Sequence, residues 1–251
     1  MIFKIQKKIK DTPFLPEIKK ILPLEQVIKI KFKNKNLLLQ SLIHRSFLNE
    51  HPRFVVSHNE RLEFLGDAVI ELIVTKYLFN NFPNPEGELT VFRSSLVNAK
   101  TLSKVASEIK LDHYLFLSKG ETSSTGKSKE IILADAFEAL VGAIYLDQGF
   151  EVVEKFIHRI LLTQLNFIVK NQLYKDPKSE LQEIAQGKLK ITPNYKVIEE
   201  IGPAHAKIFT VGVFFNTEMI ATGKGQSKQE AEVDAAQNAL KNNLTKDKKF
   251  A

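Results

Sequence analysis

From about residue 26 to residue 170, apolar side chains recur at intervals of three and four, with few glycines to interrupt them. That periodicity predicts one α-helix after another. The stretch SHNERLEFLGDAVIELIVTKYLF (Ser57 to Phe79) reads as a helix opened by Ser57 or Asn59 and ended by Asn80, Asn81 and Pro83. A second long helix is predicted from Glu130 to about Leu146. The pattern breaks at the polar run Tyr174-Lys175-Asp176-Pro177-Lys178-Ser179. A short helical pattern from Pro177 to about Gln186 then opens on a proline, whose fixed φ suits the first helical position. Three strand-like runs follow, Tyr195 to Ile201, Lys207 to Phe215 and Glu218 to Thr222. Asn216-Thr217 makes a tight turn, and Gly223-Lys224-Gly225 ends the third run. Ser227 and Glu230 form a predicted capping box at the head of an Ala-rich helix.

These shifts divide the chain into a basic N-terminal extension (1–25), an all-helical domain (26–172), a linker (173–176), a small helix-strand-strand-strand-helix domain (177–243) and a polar tail (244–251). In the extension, Pro13, Pro16 and Pro23 are expected to interrupt any long helix.

Charge sharpens this division. Residues 1–40 hold ten lysines against Asp11, Glu17 and Glu25, which accounts for the whole net charge of +7. The rest of the chain balances, so the excess is an arm able to attract polyanions, or simply a solvated terminus. The absence of Cys excludes disulfides, thiolate nucleophiles and Cys-based zinc sites, and is compatible with a reducing, cytoplasmic setting. No apolar run approaches the roughly 18–20 residues of a membrane span, so no membrane association is expected. The Lys-interrupted start (Ile2 to Lys10) is a poor signal peptide, and an arm without Arg in its first forty residues is a poor mitochondrial one.

Candidate chemistry lies in the carboxylates. Glu60, Glu63 and Asp67 stand at i, i+3 and i+7, within about 60° on one helical face. Such a stripe repels itself and calls for a compensating cation. Asp135 and Glu138 stand at i, i+3 among Ala134, Ala136, Ala139, Gly142 and Ala143, small residues that let another helix come close. Two such helices facing each other would gather four or five carboxylates. An all-oxygen cluster suits Mg²⁺ or Mn²⁺ rather than zinc. Spacing alone leaves the alternative open that these acids are solvated or salt-bridged.

NERLEFLGDAV (Asn59 to Val69) resembles the signature of the ribonuclease III family. LIHRS (Leu42 to Ser46), PEGELTVFRSSLVN (Pro85 to Asn98) and ILADAFEALVGAIYLDQG (Ile132 to Gly149) resemble its neighbouring segments. The resemblance covers roughly residues 26 to 241 and implies an all-α endonuclease domain followed by a small α+β double-stranded RNA-binding domain. By position it implies that Glu63, Asp67, Asp135 and Glu138 bind metal, with Asp67 and Glu138 the most directly catalytic. Glu60 and Glu86 would support them, Arg93 would contact phosphate, and Phe64 would plug into the partner of a homodimer. Glu71 matches no family carboxylate and reads as surface or support. The implied reaction is Mg²⁺-dependent hydrolysis of double-stranded RNA, with Mn²⁺ able to substitute, leaving 5′-phosphate and 3′-hydroxyl ends. Ribosomal precursor processing and messenger processing or turnover are the implied roles.

The last domain resembles a double-stranded RNA-binding domain in its element order. Its first hairpin carries GPAH, with Pro203 and His205 as expected minor-groove contacts, and Gln182 on the first helix is placed to reach the same groove. GKGQSKQEAE (Gly223 to Glu232) resembles the phosphate-binding motif, in which Lys224, Ser227 and Lys228 surround a helix N-terminus. Gln229, Glu230 and Glu232 depart from the most basic versions. From Lys175 onward twelve lysines meet ten acids, so a modest grip with shallow salt dependence is expected.

Three features are set aside. GETSSTGKS (Gly120 to Ser128) has five residues between its glycines where a P-loop needs four, so no nucleotide cofactor is expected. His44 and His58 read as capping or packing residues, and Phe209, Phe214 and Phe215 as sheet core. The competing function is a catalytically idle double-stranded RNA-binding protein on the same scaffold. The presence of every matched carboxylate favours the enzyme.

Overall fold

The computed structural model describes residues 15–170, 174, 176–203 and 207–242, and divides the chain into two compact units between residues 171 and 172. Residues 1–14 of the basic arm, half of the linker (173 and 175), His205 and the polar tail lie outside the described residues.

The first unit is helical. Its helices are α1 (Leu15–Ile28), α2 (Lys35–Ser41), α3 (Arg45–Glu50), α4 (Glu60–Asn81), α5 (Glu86–Leu96), α6 (Ala99–Glu108), α7 (Lys119–Thr122), α8 (Gly126–Gln148), α9 (Phe150–Ile160) and α10 (Thr163–Lys170). Helix α8 is the axle. From Ile132 to Ile144 every residue except Asp135 and Glu138 is buried, and α2, α4, α6 and α9 pack around it. A helix that is apolar all round belongs in a core. Helix α4 gives α8 its buried stripe of Leu62, Gly66, Val69, Ile70, Ile73 and Val74.

Two differences from the sequence reading, in α1 and α8, and one choice between its alternatives, in α4, have physical causes. Pro23 sits inside α1 without ending it. Ile21, Leu24 and Ile28, one face of that helix, are fully buried, and their burial offsets the roughly 3 kcal/mol of an interior proline. Of the two openings read for α4, Asn59 rather than Ser57 is the N-cap; it is buried and donates its backbone N–H to the Ile43 carbonyl at 2.9 Å. Helix α8 starts a turn earlier than Glu130, inside the polar run GETSSTGKS, whose front part is α7, capped by Ser118. Among the described residues no helix is long and apolar enough to cross a membrane.

The second unit comprises α11 (Pro177–Leu189), β1 (Asn194–Ile201), β2 (Ile208–Phe215), β3 (Glu218–Gly225) and α12 (Lys228–Lys241). The strands form an antiparallel sheet in the order β1-β2-β3. Its core joins Leu181 and Ala185 of α11, Val213, Phe215 and Ala221 of the sheet, and Ala235, Ala236 and Ala239 of α12. Asn216 turns the β2–β3 hairpin with φ 53°. Strand β3 runs on through Gly225 where Thr222 was expected to end it. The two glycines lie under α12, where a Cβ at Gly223 would come within 2.5 Å of the Ala231 carbonyl oxygen. Of the three phenylalanines assigned to the core, only Phe215 is buried; Phe209 and Phe214 are half-buried.

Candidate active site and nucleic-acid interface

The site begins with a close helix crossing. A Cβ at Gly66 of α4 would lie 2.6 Å from the carbonyl carbon of Glu138 on α8, and closer still to its oxygen. A Cβ at Gly142 would lie 3.1 Å from the carbonyl carbon of Leu62. Each helix therefore offers a glycine to the other's backbone. The acids flank this crossing: Glu63 and Asp67 on either side of Gly66, Glu138 one turn and Asp135 two turns before Gly142.

The acids of the two helices act on one another electrostatically. Burial first, then the charges of Asp67, Asp135 and Glu63, pushes the Glu138 carboxyl up to about 8. Burial first, then Asp135, Glu60 and Asp67, pushes Glu63 up to about 7. Asp135 is also raised by burial, against an opposing pull from His44. Carboxyls from both helices thus act on one another, and among the described residues no Lys or Arg pairs with these four acids. Glu60, at the outer edge, lies 3.8 Å from Arg45 and 3.6 Å from His58.

The donor set fits a hard divalent cation: several carboxylates, partly stripped of water, whose mutual repulsion a cation would relieve. Among the described residues, no three carboxylate or imidazole groups are already closed into an ion cage.

His44, a capping or packing residue by sequence, is also an electrostatic neighbour of the acids. It does cap α3, accepting from the Ser46 backbone N–H at 3.3 Å. Its ring is also fixed by the Ser46 hydroxyl at 2.8 Å, and its backbone N–H donates to Phe116 at 3.0 Å. Held there, it favours the charged form of Asp135. The only sequence signal for this was its place two residues before Ser46 in LIHRS.

Glu86 and Arg93 sit elsewhere, on α5. Together with Thr75, Phe79 and Phe82 they line a cavity of about 610 Å³ between α4 and α5. Arg93 donates from Nη1 to Thr75 Oγ1 at 3.1 Å. Glu86 is not among the groups that act on Glu63 or Glu138. Phe64 is 82% exposed, in line on α4 with Leu72 and Phe79, which are also exposed. Glu71 lies on the surface.

In the second unit, Gln182 is exposed on α11, and Pro203 follows Gly202, whose φ of 102° turns the chain out of β1. At the head of α12 the Ser227 hydroxyl accepts from the Glu230 backbone N–H at 3.2 Å. The Glu230 carboxylate returns to the Gln226 backbone N–H at 3.0 Å, one residue earlier than a capping box would place it. The Lys224 backbone N–H donates to Asp234 at 2.8 Å, and both Lys224 and Lys228 are exposed.

Fold and site together define a class: a helical nuclease unit joined to a double-stranded RNA-binding unit. Residues 34–165 match the family model described as ribonuclease-III-like, and residues 177–243 match the double-stranded RNA binding motif. The chain belongs to the ribonuclease III family. It is 45% identical over 221 residues to ribonuclease 3 of Carboxydothermus hydrogenoformans, covering 88% of this chain and 94% of that one. With ribonuclease 3 of Borreliella burgdorferi it shares 46% over 215 residues, covering 85% and 87% respectively. The crystal structure of the nuclease domain of ribonuclease III from Campylobacter jejuni matches with TM-score 0.52 and 43% identity, over 59% of this chain and 97% of that one. Another structure of that domain is described by flexibility in a region involved in its dimer formation. Membership carries the enzyme class, an endonuclease acting on double-stranded RNA.

Proposed function

We propose that this chain cleaves double-stranded RNA as a Mg²⁺-dependent homodimer, with Mn²⁺ able to replace Mg²⁺. Glu63, Asp67, Asp135 and Glu138 would hold the cation, Asp67 and Glu138 nearest the chemistry. When bound, a divalent cation lowers the pKa of water and offsets charge on a phosphodiester. The chain's own part is to hold four carboxylates across the Gly66–Gly142 crossing, where burial keeps Glu63, Asp135 and Glu138 short of water and the exposed Asp67 adds its charge to theirs. His44 favours the charged form of Asp135, and Arg45 and His58 stand beside Glu60 at the rim. The observation that carries this reading is the mutual destabilisation of carboxylates from two helices at one crossing.

The products are 5′-phosphate and 3′-hydroxyl ends, and the roles are ribosomal and messenger RNA processing in the cytoplasm. Phe64, exposed on α4, seats in the second copy; Glu86 and Arg93, in the α4–α5 cleft, support substrate. In the second unit Gln182, Pro203 and His205 reach the minor groove, and Lys224, Ser227 and Lys228 meet phosphates. The test is cleavage of end-labelled duplex RNA with Mg²⁺, with EDTA, and by Glu138→Gln. The reading expects cutting in the first case alone, with phosphatase-sensitive 5′ ends. Cleavage that survives EDTA or the substitution defeats it.

A further inference from the structure

One of the proposed RNA contacts, Lys228, is already held in an ion-pair cluster beside the first hairpin. Glu200, near the end of β1, accepts on Oε2 from Lys207 Nζ at 3.1 Å, while its Oε1 lies 3.5 Å from Lys228 Nζ. One carboxylate thus ties the end of β1 to the approach to β2 and to the first residue of α12. Lys228 also stands 5.7 Å from the centroid of the Phe209 ring. The hydrogen bond from Lys207, followed by the charges of Lys207 and Lys228, holds Glu200 below the usual carboxylate range. Its neighbour Glu199 is exposed and has no such ion pair among the described residues.

Lys228 therefore does not wait free for RNA. Exposed ion pairs are weak, so a phosphate can take the lysine. The carboxylate left behind then faces the RNA backbone uncompensated. It repels the backbone or recruits a cation from solution, which subtracts from the counterions that binding releases.

We propose that Glu200 is an internal competitor for the RNA backbone, occupying Lys228 in the free protein and lowering both the affinity and the salt dependence of duplex binding. This rests on the reading of Lys228 as a phosphate contact. It also gives a near-neutral RNA-binding unit a way to keep its affinity low, so that the chain can leave the duplexes it has visited.

The test is fluorescence anisotropy of the full-length chain on a labelled RNA duplex, in EDTA so that nothing is cut, across roughly 50 to 300 mM KCl. Glu200→Gln is expected to bind about three- to tenfold tighter at the low end, with a log–log salt slope steeper by up to about one, and to converge on wild type at the high end. Glu199→Gln, the same change of charge one residue away, is expected to gain less than half as much. In a Lys228→Ala background the Glu200→Gln gain is expected to vanish. The proposal is overturned if Glu200→Gln binds no tighter than wild type, if Glu199→Gln gains equally, or if the gain survives without Lys228. Lys228→Ala alone reads out the underlying assignment separately: unchanged low-salt binding removes Lys228 as a phosphate contact and the proposal with it.

Discussion

Gly66 presses its bare Cα against the backbone of Glu138, so closely that a methyl group there would overlap the carbonyl. The acidic cluster exists because of this crossing. Gly66→Ala is expected to force α4 and α8 apart, at a cost of about 3 kcal/mol or more because backbone, not a yielding side chain, blocks the way. Cleavage should fall with it. Gly87→Ala, where an added Cβ meets nothing within 4 Å, is the control and should raise or preserve the melting temperature. Thermal melts of the two variants check this.

The cluster should also cost stability when no cation is bound. A carboxyl whose folded pKa lies above its unfolded value stabilises the fold at low pH, and that contribution is lost as pH rises from the ordinary carboxylate value through the folded one. For Glu63 and Glu138 the window runs from about 4.5 to about 7 and about 8. In EDTA, Glu138→Gln is expected to melt about 2–4 °C above wild type at pH 8, the effect of roughly 1 kcal/mol in a chain of this size after discounting for solvent at the partly exposed group. At pH 5 the difference should nearly close. Calorimetry at the two pH values decides it.

Phe64, Leu72 and Phe79 expose a large apolar line on one helix, a feature typical of an interface. Phe64→Glu is expected to turn a dimer into a monomer in size-exclusion chromatography with light scattering, and to lower cleavage at least tenfold while the isolated fold melts normally. A dimer that survives the substitution removes Phe64 from the interface.

Truncation separates the basic arm from the helix that follows it. Removing residues 1–14, which carry four lysines and one acid, should weaken RNA binding at low salt and leave the melting temperature alone. Removing residues 1–25 takes away Ile21 and Leu24, both fully buried, and should lower the melting temperature as well. Binding titrations and melts of both truncations test this together.

What was legible in the sequence, and what was not, divides along physical lines. Helical spacing placed Glu60, Glu63 and Asp67 on one stripe, and small residues around Asp135 and Glu138 announced a close neighbour. Local signals worked where the cause was local: Ser227 as a cap, Asn216 as a turn. They failed where tertiary contact decided the outcome. Pro23 stays helical because Ile21, Leu24 and Ile28 are buried beneath it. Strand β3 passes through Gly223 and Gly225 because α12 needs their missing side chains. The pull of His44 on Asp135 depends on a β-bridge between Ile43 and Phe116, residues far apart in the chain. The salt bridges of Glu200 likewise join β1 to the approach to β2 and to α12, and no spacing rule points to them.

The most direct measurement is Mn²⁺ binding to the RNA-free protein, followed by electron paramagnetic resonance, for wild type, Asp67→Asn and Glu138→Gln. Four carboxylates sharing one cation predict a saturable site in wild type, with the Kd raised at least about tenfold in either variant because each removes a charge facing the ion. Wild-type affinity retained in both variants would contradict a shared site.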